Sequence, residues 1–155
     1  MCPVKDCLYL PPAKIQKRKR TAGILRLVRN VKKVYPISKE INQAIIETYE
    51  YLQTLPNEKA RQKHLKRVEK GLKEQYTARM KKLSFTQGKL LIKLIDRQSN
   101  STSYELVKAF MGPFKAGFYQ TFAALFGASL KKEYDPLGED KLTERVVLLV
   151  ENGQI

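Results

Sequence analysis

The sequence has no tryptophan, a single histidine, two cysteines and half as many acidic as basic side chains. One histidine cannot supply a pair of imidazole ligands, and Cys2 and Cys7 add too few donors to complete a zinc site. Those two cysteines stand as free thiols or as one small disulfide, and neither fixes a compartment. No Ser or Cys lies in a nucleophile-elbow sequence, so acyl transfer has no visible start. Gly88-Lys89 is the nearest approach to a phosphate loop, but Leu83 and Leu90 occupy positions that need Gly and Ser or Thr. Long apolar runs are missing too. The longest uncharged stretch, Ala116 to Leu130, falls short of the roughly 20 residues that span a bilayer and is interrupted by Gly117, Gln120, Gly127 and Ser129. Met1 to Arg20 has no apolar segment ahead of Lys17-Arg18-Lys19-Arg20, so no export signal is expected there.

What the chain has in excess is positive charge. Thirty Lys and Arg against 15 Asp and Glu give +15 over 155 residues, a self-repulsion that an anionic partner would relieve. The excess is uneven. Met1 to Pro36 holds ten bases and one acid (+9), Ile37 to Leu83 eleven and six (+5), and Ser84 to Ile155 nine and eight (+1). The basic partner surface is therefore expected in the N-terminal half. An apolar share of 43% is enough for one real core.

Periodicity points to helix throughout. Pro3, Pro11 and Pro12 predict an irregular basic arm over residues 1–20, followed by a helical domain over 21–155. From Ala22 to Tyr35, Ile24, Leu27, Val28, Val31 and Val34 share one arc and Arg26, Arg29, Lys32 and Lys33 the other. Pro36 predicts a break or kink, with Ser38 capping a second helix that carries Ile41, Ile45, Tyr49 and Leu52. Asn57 is placed to cap the row Ala60, His64, Val68, Leu72, Tyr76 and Met80, and Ser84 with Gln87 forms a capping box ahead of Leu90, Leu91, Leu94 and Ile95. Thr102 with Glu105 repeats that box, and Gly112-Pro113 is expected to end one helix and start another. Phe114 to Leu130, with Phe118, Phe122 and Phe126, is apolar nearly all round and reads as the central buried helix. The last helix follows Glu139 and Asp140. The fold expected is all-α, one compact domain of about six or seven helices.

Few residues suggest chemistry. His64 shares a row with core residues and reads as a hydrogen-bonded boundary side chain rather than a general base. Asp135, Glu139 and Asp140 lack the alternating oxygen spacing of a calcium loop and read as a turn before a helix. Lys93, Asp96 and Arg97 read as a solvated or partner-paired helix end. The turn from Gln98 to Glu105 has the outline of a helix-turn-helix, but Lys108 is the one base its second helix would offer. The better anion-binding candidates are Lys17, Arg18, Lys19, Arg20, Arg26, Arg29, Lys32 and Lys33, supplemented by Lys59, Lys63, Lys66, Lys70 and Lys73. These suit phosphate contacts on nucleic acid or an anionic membrane surface. No metal or cofactor is implied.

Several segments are similar to a known family: Thr54-Leu55-Pro56 with Glu58 to Arg61, the run Leu83 to Arg97, Ala116 to Gln120, and Leu125-Phe126-Gly127 leading to Glu133-Tyr134-Asp135-Pro136. Together they resemble the domain-of-unknown-function 4294 family over about Leu10 to Val150. That resemblance implies a small bacterial protein, usually made with an export signal, and brings no activity, ligand or site residue with it. A processed start near Met1 would favour a Cys2 to Cys7 disulfide. The function expected is a non-catalytic helical interaction protein of the bacterial envelope, docking its basic half on an acidic protein or membrane surface. The alternative is a nucleic-acid-binding protein working through phosphate contacts, and third comes an enzyme built on the apolar helix and the Asp135 to Asp140 turn.

Overall fold

The computed structural model describes residues 12–101, 105–127 and 133–155. Five helices carry them, and no strand occurs among the described residues: α1 (Pro12–Thr54), α2 (Glu58–Met80), α3 (Phe85–Ser101), α4 (Glu105–Phe126) and α5 (Lys141–Glu151). The all-α expectation holds, with two of the expected boundaries gone.

The first lost boundary is Pro36, which lies inside α1 rather than at its end. An interior proline costs about 3 kcal/mol. Against that, Val31 and Val34 before it and Ile41 and Ile45 after it are buried on one stripe, and each such side chain contributes about 1.5–3 kcal/mol. Burial on both sides wins, and the chain stays helical. Ser38 is therefore no N-cap; its buried hydroxyl donates back to the Tyr35 carbonyl at 2.7 Å and accepts from Gln98 Nε2 at 3.3 Å. The second is Gly112-Pro113, which α4 runs through.

The N-terminal boundary also moves. The sequence reading puts residues 1–20 in an irregular arm, but α1 begins at Pro12, so Lys17 to Arg20 are helical. A proline at a helix start loses no hydrogen bond, and its fixed φ suits the first turn. Cys2, Cys7, the Thr102 cap and the side chains of Phe110 and Phe118 lie outside the described residues.

Other caps form as their residues dictate. Asn57 Oδ1 accepts from Ala60 N at 2.8 Å, and Ser84 and Gln87 cap each other's backbone amides at 3.3 Å. α1 is the spine, packing against α3 most extensively and against α5, α2 and α4 as well. The central buried helix is α3, not the apolar segment in α4. Leu90, Leu91, Ile92, Leu94 and Ile95 are all buried. On α4, Phe114 and Phe122 are buried while Phe126 is half-buried and Gln120 exposed. α3 packs chiefly along α1 and is covered by α4, whereas α4 divides its contacts among α3, α2 and α1. Gly88 is what lets α4 come close: a Cβ there would stand 2.8 Å from the Phe126 ring.

Candidate functional site

Charge divides into an inward-facing set and an outward-facing one. The inward set begins on α3, where Lys93 and Arg97 are one turn apart and meet Asp140 and Glu144, also one turn apart, at the start of α5. Lys93 Nζ donates to Asp140 Oδ1 at 2.6 Å, and Arg97 holds Glu144 in a two-pronged grip at 2.7 and 2.8 Å. The equal offset means that the two helices run in the same direction. Arg97 also donates to Glu151 at 3.0 Å, Tyr35 of α1 donates to the same Glu151 oxygen at 2.7 Å, and the Tyr134 hydroxyl donates to Glu144 at 2.6 Å. Asp96, only 1% exposed, pairs with Lys115 of α4 and accepts from the Tyr134 amide at 2.6 Å.

The network explains its members' proton affinities. The Arg97 guanidinium, assisted by the Tyr134 hydroxyl, holds Glu144 below its ordinary 4.5 against the opposing effect of burial. Burial, then the Glu151 hydrogen bond, pushes Tyr35 up to about 12; burial, then the Asp96 and Glu133 charges, does the same to Tyr119.

The acidic turn is consumed in the same way. Asp140 Oδ2 accepts from the Asp135 amide at 3.0 Å and Asp135 Oδ1 from the Gly138 amide at 3.0 Å. Gly138 is required because a Cβ would stand 2.1 Å from the Asp135 carboxylate. Among the described residues, no three His, Cys, Asp or Glu side chains are placed to hold a metal ion. The depression beside the network is lined by Arg97, Asn100, Tyr134, Pro136 and Glu144, but Arg97 and Glu144 already point at each other. His64 is half-buried, its ring 4.6 Å from that of Tyr51.

The network escaped the sequence reading, which treats Lys93, Asp96 and Arg97 as a solvated or partner-paired end. Its signal is present nonetheless: two bases four apart in the apolar run of α3 and two acids four apart where α5 begins.

The outward set is the predicted one. Lys17, Arg18, Lys19, Arg20, Arg26, Arg29, Lys32 and Lys33 are all exposed, and none pairs with a carboxylate among the described residues. Lys33 alone has a polar contact of its own, donating to Gln87 at 3.2 Å. Every residue from 16 to 26 is exposed, and burial starts at Asn30 and Val31. Residues 16 to 26 of α1 thus stand clear of the described body, a length of about 15 Å at 1.5 Å per residue. The apolar arc packs only from Leu27 onward, leaving Ile24 41% and Leu25 60% exposed. At roughly 100° per residue, Arg18, Lys19, Arg26, Arg29, Lys32 and Lys33 gather within about 140°, whereas Lys17 and Arg20 fall on the other side of the rod.

A family model matches residues 3–149, described as a domain of unknown function (DUF4294). The chain belongs to the DUF4294 family. No curated protein and no solved structure matches it. The DUF4294 match therefore establishes kinship without carrying a ligand or reaction, and both charge sets are read from geometry alone. Among the described residues, no helix is long and apolar enough to cross a membrane.

Proposed function

We propose that this chain is a non-catalytic helical interaction protein that docks through the basic, projecting start of α1 on an acidic partner or an anionic surface. The family resemblance points to the bacterial envelope as its setting, where an anionic lipid surface is the natural test case. The observation that carries the reading is the separation of charge. Asp96, Asp140 and Glu144, with Glu151 at the rim, are taken up by Lys93, Arg97 and Lys115, while Lys17 to Arg20, Arg26, Arg29, Lys32 and Lys33 face outward without carboxylate partners among the described residues.

Charge order along α1 supports it. The macrodipole favours acids in the first turn of a helix and bases in the last, each worth about 0.3–1 kcal/mol. α1 has no acid in its first turn and no base in its last. The cations from Lys17 to Lys33 lie beyond the first turn, so the dipole gains nothing from their placement and a partner is what would use it. Exposed Ile24 and Leu25 beside those cations supply the apolar contact that basic helices use at an interface.

The test is a variant with Arg26, Arg29, Lys32 and Lys33 changed to Gln. Binding to vesicles rich in anionic lipid should fall, with a shallower dependence on salt, while melting stays nearly unchanged. Equal vesicle binding by a folded variant would remove α1 from the account. Loss of folding would assign these residues to structure instead.

A further inference from the structure

α2 carries a second basic face of different character. Lys59, Lys63, Lys66, Lys70 and Lys73 recur at alternating spacings of four and three, one per turn, and all five are exposed. They lie about 100° around α2 from the buried row Leu72, Tyr76 and Met80, on a flank open to solvent. The row is straight and about 21 Å long. No carboxylate pairs with any of the five among the described residues.

The chemistry of this face selects among anions. Helices that seat themselves in the lipid boundary add Trp, Phe or Leu to their lysines, and Ala78 is the largest apolar residue exposed on α2, which leaves a membrane only the electrostatic attraction. Leu25 and Ile24 give α1 what α2 lacks. A single strand is gripped by aromatic platforms on which bases stack, and no aromatic side chain is exposed on α2. Lysine is a point charge without the planar fork that reads base edges, so it contacts phosphate and positions rather than specifies. A 21 Å row lies along about six base pairs of a duplex, at 3.4 Å per phosphate on each strand.

We infer that the lysine row of α2 is a docking face for the phosphate backbone of double-stranded nucleic acid, bound without sequence preference. This deepens the anion-docking reading but rests on it only for the outward placement of charge, since α2 acts through its own residues.

The experiment measures affinity of the full chain for a mixed duplex of about 20 base pairs, a single strand of equal length, polyglutamate, and vesicles of phosphatidylglycerol. The variants are the five α2 lysines changed to Gln and the α1 quadruple change. The wild type should prefer the duplex to the single strand and ignore its sequence. The α2 variant should lose duplex binding, the slope of log K on log salt falling by about 4, whereas the α1 variant keeps most of it. Should the fivefold change disturb folding, Lys66→Gln alone should lower the slope by about 1, and Lys66→Arg should restore it. Unaltered duplex binding by the folded α2 variant overturns the inference, as does a preference for single strand, polyglutamate or vesicles that the α2 row controls. Vesicle binding lost only with α1, with duplex binding unmoved by α2, would leave the α1 reading standing and this one fallen; the reverse pattern separates them the other way.

Discussion

The α3–α5 network and the outer faces of α1 and α2 draw on the same side chains for opposite ends. On α3, Lys93 and Arg97 are mostly covered, each facing a carboxylate at 2.6–2.8 Å. On α1 and α2, equally regular cations meet solvent. A base at helical spacing thus says nothing by itself; what decides its role is whether another helix brings acids at the matching spacing. α5 does so for α3, and the described structure brings none to the row on α2.

That contrast is sharpest where charge is removed. Asp96→Ala should be the most damaging change, because it leaves Lys115 without its partner and the Tyr134 amide without an acceptor. Breaking such a buried pair costs about 3–5 kcal/mol, readable as a large fall in urea midpoint. A loss below about 1 kcal/mol would mean that water replaces the carboxylate and that the inward set is less closed than it looks. Gly88→Ala tests the packing beneath the network. Its methyl meets the Phe126 ring, and overpacking of this kind costs about 1–3 kcal/mol.

Acidification should act through Glu144 of the inward set. Glu144 titrates lower in the folded chain than in the unfolded one, so its stabilising contribution is complete above 4.5 and is lost as pH falls through its depressed folded value. Melting temperature should drop as pH falls below about 5, and Glu144→Gln, less stable at neutral pH, should flatten that drop. An unchanged slope in the variant would place the acid sensitivity elsewhere. The smallest effect belongs to the outward set: the α1 quadruple change should move stability by no more than about 0.5 kcal/mol. Salt should raise the melting temperature of the wild type slightly, by screening the repulsion among its cations.

The outer set was legible in sequence because an exposed face needs only one helix to define it. Arg26, Arg29, Lys32 and Lys33 diverge from Val31 and Val34 on angle alone, and the structure keeps them apart. The inner network needed two helices 47 residues apart to be docked in register, which no local window contains. Element ends failed for a related reason. Pro36 is a strong local stop, overridden by the burial of Val31, Val34, Ile41 and Ile45 in a core shared with distant residues such as Leu91 and Ile95, and α4 likewise continues through Gly112-Pro113. Asn57 and Ser84 were legible because a cap is satisfied within three residues of itself.

The unbroken course of α1 has a consequence for its timescale of opening. Starting a helix is the unfavourable step and lengthening it is nearly neutral, so the turns from residue 16 to 26 persist as an extension of a nucleus supplied by Val31, Val34, Ile41 and Ile45. Residues 16 to 26 are all exposed, so no burial among the described residues holds them. Amide hydrogen exchange should therefore grade along this one helix, fast toward residue 16, slowing past Leu27 and reaching the rate of global unfolding near Val34 and Ile45. An anion held at the tip would slow the fast end and leave the slow end unmoved, so the order of the tip can be set by its ligand without any change in the body that supports it.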